Sequence, residues 1–280
     1  RILIDSNEFW SSLQKDIRAS KNYIYIQTLS FEGDRVGKMV SDELLSSEAK
    51  DVRILVDYYT KYVISDRFLY RPKNYFDSDL QTENANTLKM FEKLNQSGIQ
   101  VRFTNPVGFL LVKFPARNHK KMILIDDHIS YIGGINFSEH NFEWHDLMIR
   151  IDDHDVTEFL KSDFFSSWQG YHVYAEETIK ELQLYIYDGR TNERNFQNLL
   201  EIVGQASKSV FIESPYISFP FYEKLRNARK RGVTVTLITP EINNRKNVGR
   251  YTLWEANRSG IDLRLYQPGM THVKAILIDD

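Results

Sequence analysis

A chain of 280 residues with 42% hydrophobic content can bury one large core or two medium ones. Its 36 basic and 38 acidic residues give a formal net charge of −2, a weak argument against a dedicated polyanion binder that leaves room for a local basic patch. The absence of cysteine excludes disulfides, thiolate chemistry and cysteine-bound zinc, and indicates no compartment. With histidine counted as neutral, the longest charge-free stretches are residues 128–138 and 164–175, both too short and too polar to span a bilayer. The chain opens on Arg1 and stops one residue after Asp279, so we expect a fragment, with a membrane anchor elsewhere left open.

In chain order, the first half offers a helix end and β-rich strand at residues 19–26 and a second strand at 52–56. Helical spacing of apolar residues follows at 87–95, then a glycine stop at Gly98 and a third strand through Phe103. The run from His119 to Asp126 comes next. The same parts recur at 206–212, at 233–238, and in a helix at 221–230. Gly260 then leads into a strand through Leu265, and a run from His272 to Asp279 closes the series. Matches in the same order indicate an internal duplication. Strands alternating with helices indicate an α/β class: two similar lobes, each a mixed β-sheet flanked by helices. We expect lobes at residues 1–178 and 179–280, the second incomplete at its C-terminus, with the boundary in the polar and aromatic stretch holding Asp188-Gly189-Arg190.

Each closing run reads His-x-Lys-x4-Asp, followed by a second aspartate, Asp127 or Asp280. Side chains alternate faces along a strand, so His119 and Lys121 share one face and Asp126 points to the other. An imidazole and an ammonium side by side suit a phosphate ester, whereas Asp126 suits a structural bond. The same holds for His272, Lys274 and Asp279. A two-residue turn at Asp127-His128 would return the chain through residues 129–132, setting Gly134 opposite Lys121 and Asn136 opposite His119. In that register Asn136 offers an amide N–H beside the histidine, and Gly133-Gly134 lets a phosphate approach the backbone.

The pattern His119-x-Lys121-x4-Asp126-x6-Gly133-Gly134-Ile135-Asn136 resembles the signature of the phospholipase D superfamily. The phrases Trp144-His145-Asp146, Phe164-Phe165-Ser166-Ser167-Trp168, Glu213-Ser214-Pro215-Tyr216-Ile217 and Arg231-Gly232-Val233-Thr234-Val235 resemble its cardiolipin synthase branch. The resemblance covers nearly all of the chain. The second Gly-Ser-x-Asn segment of the pattern would begin after Asp279, where the sequence stops.

The resemblance implies two phospholipase D-like lobes with the active site at their interface. It implies catalysis by His119, Lys121, His272 and Lys274, phosphate binding by Asn136, and support from the carboxylates Asp126, Asp146 and Asp279. One histidine attacks phosphorus to form a phosphohistidine; the other protonates the leaving alcohol and then activates water or a second alcohol. By analogy His119 is the nucleophile and His272 the general acid, although the near-symmetry of the motifs leaves the order open on the residues alone. Asp146 is either a hydrogen-bond acceptor fixing the tautomer of His119 or a surface carboxylate near a strand start. No metal and no cofactor is implied. The remaining histidines, including His128, His140, His145, His154 and His172, share no metal-ligand spacing and are assigned turn or surface roles, and Lys120 a surface role.

Two further stretches stand out. Residues 58–79 interleave aromatic side chains with Lys61, Arg67, Arg71 and Lys73, a mixture suited to a membrane interface, to stacked bases, or to an ordinary packed loop. Residues 109–112 with Phe114 read either as a buried strand or as the border of an acyl-chain entrance. The expected protein is therefore a phosphatidyl-transferring or phosphodiester-cleaving enzyme acting on phospholipids, peripherally membrane-associated. A nuclease using the same two histidines is the alternative, with nucleic acid as partner, and an idle binding scaffold is the second.

Overall fold

The computed structural model describes residues 1–114, 117–187 and 193–279. Asp188-Gly189-Arg190 and Asp280, noted above, lie outside the described residues. The strands are β1 (Ile2–Ile4), β2 (Tyr23–Thr28), β3 (Asp51–Asp57), β4 (Val63–Ile64), β5 (Arg67–Phe68), β6 (Gln100–Thr104), β7 (Met122–Ile125), β8 (Ile129–Gly133) and β9 (Leu147–Asp152). A hairpin of β10 (Ala175–Ile179) and β11 (Leu182–Ile186) follows, then β12 (Ser209–Glu213), β13 (Thr234–Pro240), β14 (Asp262–Tyr266) and β15 (Ala275–Ile278). The helices are α1 (Asp5–Ala19), α2 (Arg35–Leu45), α3 (Pro72–Tyr75), α4 (Ser78–Gln96), α5 (Glu139–Phe142), α6 (His154–Trp168), α7 (Glu193–Gly204), α8 (Phe221–Lys230) and α9 (Lys246–Ser259). Two compact units result: Arg1–Glu143 with Leu147–Arg190, and Trp144–Asp146 with Thr191–Asp280.

The first unit is built on a seven-stranded sheet in the order β1-β9-β8-β7-β2-β3-β6. Strands β2, β3 and β6 run parallel, and β7 joins β2 antiparallel. Alternation along the central strands explains why their sequences are apolar throughout: both faces are covered. Ile24, Ile26, Ile123 and Ile125 enter the core that also holds Phe9, Leu13, Val36 and Phe91 from α1, α2 and α4. Tyr23, Tyr25, Met122 and Leu124 enter the opposite core with Val156, Leu160 and Phe164 of α6. Each fully buried side chain of this size contributes about 1.5–3 kcal/mol of apolar burial.

The second unit repeats the central part of this plan. Its four-stranded sheet has the order β14-β13-β12-β15, with β12, β13 and β14 parallel and β15 antiparallel to β12. Val210, Ile212, Val235 and Leu237 pack with Tyr222, Leu225 and Ala256 of α8 and α9. On the other face the cross-strand pair Phe211 and Leu277 is exposed. The duplication read from sequence is thus a duplication of topology. In both units the helix before the third strand ends at a glycine of positive φ, Gly98 at 92° and Gly260 at 64°, a backbone region costly for other residues.

The returning strand β8 corrects the expected register by one residue. Ile125 pairs with Ile129 and Met122 with Ile132, so the turn holds Asp126, Asp127 and His128 rather than two residues. The reason is that Asp126 leaves the ladder. At φ 50° it turns its carboxylate to the entry of β2, accepting from the N–H groups of Lys21 (3.2 Å), Asn22 (2.8 Å) and Tyr23 (3.0 Å) and from Ser20 Oγ (3.1 Å). Asp279 does the same in the second unit, accepting from Ser207, Lys208 and Ser209 N–H and from Ser207 Oγ.

Burial pushes the Asp126 carboxyl up, but the donors outweigh it and hold the group below the ordinary carboxylate range. Its contribution to stability is therefore complete above about pH 4 and lost as pH falls through the folded value. We expect Asp126→Ala to lower stability at neutral pH by about 1–3 kcal/mol, because three backbone donors and a hydroxyl lose their acceptor. Urea denaturation of the variant and the parent at pH 7 and at pH 3 checks this: the gap should narrow in acid.

Candidate active site

His119 and Lys121 stand just ahead of β7, which begins at Met122. Because β7 is antiparallel to β2, they lie at the carboxyl end of the parallel strands, where open α/β sheets place their ligands. The segment leading to His119 is pinned from beneath. Asp57, at the end of β3, accepts from Arg117 Nη1 (2.7 Å), Asn118 N–H (2.8 Å), Tyr59 N–H (2.8 Å) and Asn105 Nδ2 (3.1 Å). This pair is almost wholly buried, with Asp57 and Arg117 side chains 0% and 5% exposed.

Lys120, expected at the surface, instead turns away from its neighbours and bonds the buried carboxylate of Asp163 on α6 at 2.6 and 2.9 Å. Its neighbour Lys121 folds its ammonium onto the carbonyl of His119 at 2.8 Å. His119 itself is exposed.

Asn136 sits at the same end of the sheet, buried, with Oδ1 accepting from Thr28 Oγ1 (3.2 Å) and Ser30 N–H (3.4 Å). Those bonds orient the amide so that Nδ2 is its donor end. The register correction places Gly133, not Gly134, across from Lys121, with Gly133 N–H donating to Lys121 O at 3.4 Å. Gly133 serves strand packing: a Cβ there would stand 2.3 Å from Leu147 O and 2.7 Å from Met148 Sδ on β9.

In the second unit His272 and Lys274 precede β15 in the same relation, next to the carboxyl end of β12. The Lys274 ammonium again bonds the carbonyl of its own histidine, and it lies over the Tyr216 ring. Burial of the ammonium pushes its pKa down to about 8, although other parts of the residue are exposed.

His272 Nδ1 is 2.7 Å from Asp146 Oδ2, and both side chains are largely buried. Sequence reasoning had considered Asp146 as a partner for His119; its described hydrogen bond is to His272. A carboxylate only accepts, so Nδ1 carries the proton in this bond and Nε2 is left as the reactive nitrogen. Trp144 and Tyr216 contact the imidazole with ring centroids at 4.9 and 5.7 Å.

His145, expected in a turn or at the surface, is built into this unit. Its carbonyl accepts from His272 N–H at 2.7 Å, and its ring stacks on Tyr266 at 5.0 Å. Its Nε2 faces Glu213, which also accepts from Thr271 Oγ1 at 2.6 Å. Trp144, Tyr216 and Glu213 went unassigned from sequence, although each lies in a phrase that carried the resemblance.

Among the described residues, Glu32, Asp34 and Glu83 bring carboxylate oxygens within 4.8 Å of one another, the spacing of a metal-ligand set. Burial raises the Glu32 carboxyl to about 8, so it is mostly protonated at neutral pH and bonded to Ser30 and Ser65. No described helix is long and apolar enough to cross a membrane.

Two lobes of one plan, each presenting a histidine and lysine at the carboxyl ends of parallel strands, define a class. The chain belongs to the family described as cardiolipin synthase, phospholipase D-like domain, whose model matches residues 13–168 and 199–280. It is 24% identical to a probable cardiolipin synthase of Bacillus subtilis, over 100% of this chain and 57% of that protein. It is 23% identical to cardiolipin synthase 1 of Bacillus cereus, over 100% of this chain and 58% of that protein. The chain thus spans somewhat under three-fifths of the length of these relatives. The crystal structure of a phosphatidylserine synthase from Haemophilus influenzae shares the fold, with a TM-score of 0.65 at 17% identity over 99% of this chain and 76% of that one.

Proposed function

We propose that this chain catalyses phosphatidyl transfer between phospholipids through a phosphohistidine, with His119 as nucleophile and His272 as general acid and base. The observation that carries the reading is the repeated His-x-Lys unit, each lysine tethered to the carbonyl of its own histidine at a strand head. Membership of the family and the similarity to cardiolipin synthases support the lipid substrate. In the first step His119 Nε2 attacks phosphorus of phosphatidylglycerol, the P–O bond to glycerol breaks, and His272 Nε2–H protonates the departing alkoxide. In the second step His272 takes the proton from the hydroxyl of another phosphatidylglycerol, whose oxygen displaces His119 and yields cardiolipin. Water in place of that hydroxyl gives phosphatidic acid.

Lys121, Lys274 and the Asn136 amide stabilise charge on the non-bridging oxygens; one such donor is worth roughly 3–4 kcal/mol. Asp126 and Asp279 act through structure, and Asp146 positions His272. Incubation with phosphatidylglycerol and, separately, single-stranded DNA tests the reading. Cardiolipin or phosphatidic acid with released glycerol supports it, and shortened DNA without lipid product overturns it.

The Asp146–His272 bond leads to a sharper expectation. Asp146→Asn should lower kcat on phosphatidylglycerol by about 10²–10⁴-fold, through a wrong tautomer and a weaker imidazolium. On bis(p-nitrophenyl) phosphate, whose leaving group departs without a proton, release of the first nitrophenolate should fall much less. Equal losses on both substrates would remove His272 from the role of acid.

A further inference from the structure

We infer that the first unit docks on an anionic phospholipid surface through an aromatic platform made by residues 58–76 and the turn at 107–114; this rests on the phospholipid reading above. Neither segment is the buried strand or plain loop considered from sequence. Residues 58–61 form a 3-10 turn, β4 and β5 a two-stranded ribbon, α3 a single turn, and Phe109–Leu111 another 3-10 turn.

The platform is one body. The Phe114 ring contacts Tyr59, Tyr62 and Phe68 at 6.3, 6.4 and 5.4 Å, and Tyr70 contacts Tyr62 and Phe68 at 5.8 Å each. Asn74 ties α3 to the ribbon through Nδ2 to Phe68 O at 2.8 Å, and the 107–114 turn is closed by Lys113 N–H to Val107 O at 2.9 Å. Phe109 is 85% exposed, Phe76 84% and Val112 76%, with Tyr70 and Tyr75 more than half exposed.

Single exposed apolar residues are ordinary, but several on one packed platform are not. Arg71, Lys73 and Lys113 are exposed on the same segments; of the nearby carboxylates Asp77 pairs with Arg67 and Asp66 faces His140, while Asp79 is exposed. Apolar tips beside cations match the boundary of a bilayer carrying negative headgroups: the rings enter the interface and the cations meet the phosphates. A purely apolar protein partner would leave those cations unmatched.

The chain has no cysteine, so single-cysteine variants carry one label each. Phe76→Cys and Phe109→Cys, labelled with an environment-sensitive nitrobenzoxadiazole dye, are mixed with vesicles of phosphatidylglycerol and phosphatidylcholine, of phosphatidylcholine alone, or with single-stranded DNA. The expected result is a blue shift and several-fold brightening with the anionic vesicles, weaker in high salt. A dye already shielded without vesicles, an unchanged dye, or the same response to DNA would each overturn docking.

A Phe76→Ser, Phe109→Ser double variant should turn over vesicle phosphatidylglycerol roughly tenfold more slowly and bis(p-nitrophenyl) phosphate normally. Equal turnover of vesicles by variant and parent refutes docking and leaves the phospholipid reading intact. Absence of lipid product from the parent refutes that reading, while the dye still reports on the surface.

Discussion

Alanine in place of His119 is expected to lower turnover of phosphatidylglycerol and of bis(p-nitrophenyl) phosphate by at least about 10³-fold, since no covalent intermediate forms. Alanine in place of His272 should match that loss on the lipid but leave a burst of one nitrophenolate per chain, followed by near silence. The difference follows from the division of labour: His119 makes the phosphorus–nitrogen bond, and His272 supplies a proton that nitrophenolate does not need. Rapid-quench kinetics on both variants decides the order of the two histidines. A burst from His119→Ala and none from His272→Ala would reverse it, and a burst from neither would remove the phosphohistidine scheme. Because His272→Ala removes a hydrogen bond to the buried Asp146, thermal unfolding of the variant should be followed alongside, to separate lost chemistry from lost structure.

Removing the Asp57 carboxylate should have the largest effect on stability. Asp57→Ala leaves the Arg117 guanidinium buried without its counter-ion and strips two backbone N–H groups and the Asn105 amide of their acceptor. A buried pair broken on one side costs about 3–5 kcal/mol. Arg117→Met should be milder, because Asp57 keeps three donors and the thioether stem refills the space. Both variants should also lower kcat, since Asn118, which is bonded to Asp57, immediately precedes His119. Urea denaturation measures the first effect. If Asp57→Ala unfolds at the parental midpoint, the anchor has no energetic weight.

Much of this architecture was legible before any coordinates. The apolar run Met122–Ile125 announces a strand covered on both faces, and its recurrence at Ala275–Ile278 announces a second copy. Gly98 and Gly260 mark the helix stops because few other residues adopt their backbone angles. The strand register slipped by one because a turn is settled by what its residues bond elsewhere. Asp126 is drawn to Ser20, more than a hundred residues away, and no local turn preference records that attraction.

The candidate site divides in the same way. The two histidines and two lysines could be put forward as candidates from their repeated spacing. Their surroundings could not: Lys120 finds Asp163 on α6, and Asp146 finds His272 across 126 residues of chain. The enclosure of His272 by Trp144 and Tyr216 is likewise a product of tertiary packing. Exposure of Phe76 and Phe109 was one of several readings the sequence allowed, because aromatic residues in a sequence also read as core.

The paired aspartates have one more consequence. Each fastens the strand that carries the motif, β7 or β15, to the first parallel strand of its half, β2 or β12, so that stretch of chain is buckled like a strap. Segments threaded between the two ends of a buckle are free to lengthen or shorten without moving the histidine beside it, whose place is set by where the strap closes. Diversification of substrate preference should accordingly gather in those intervening segments, leaving the fastenings untouched.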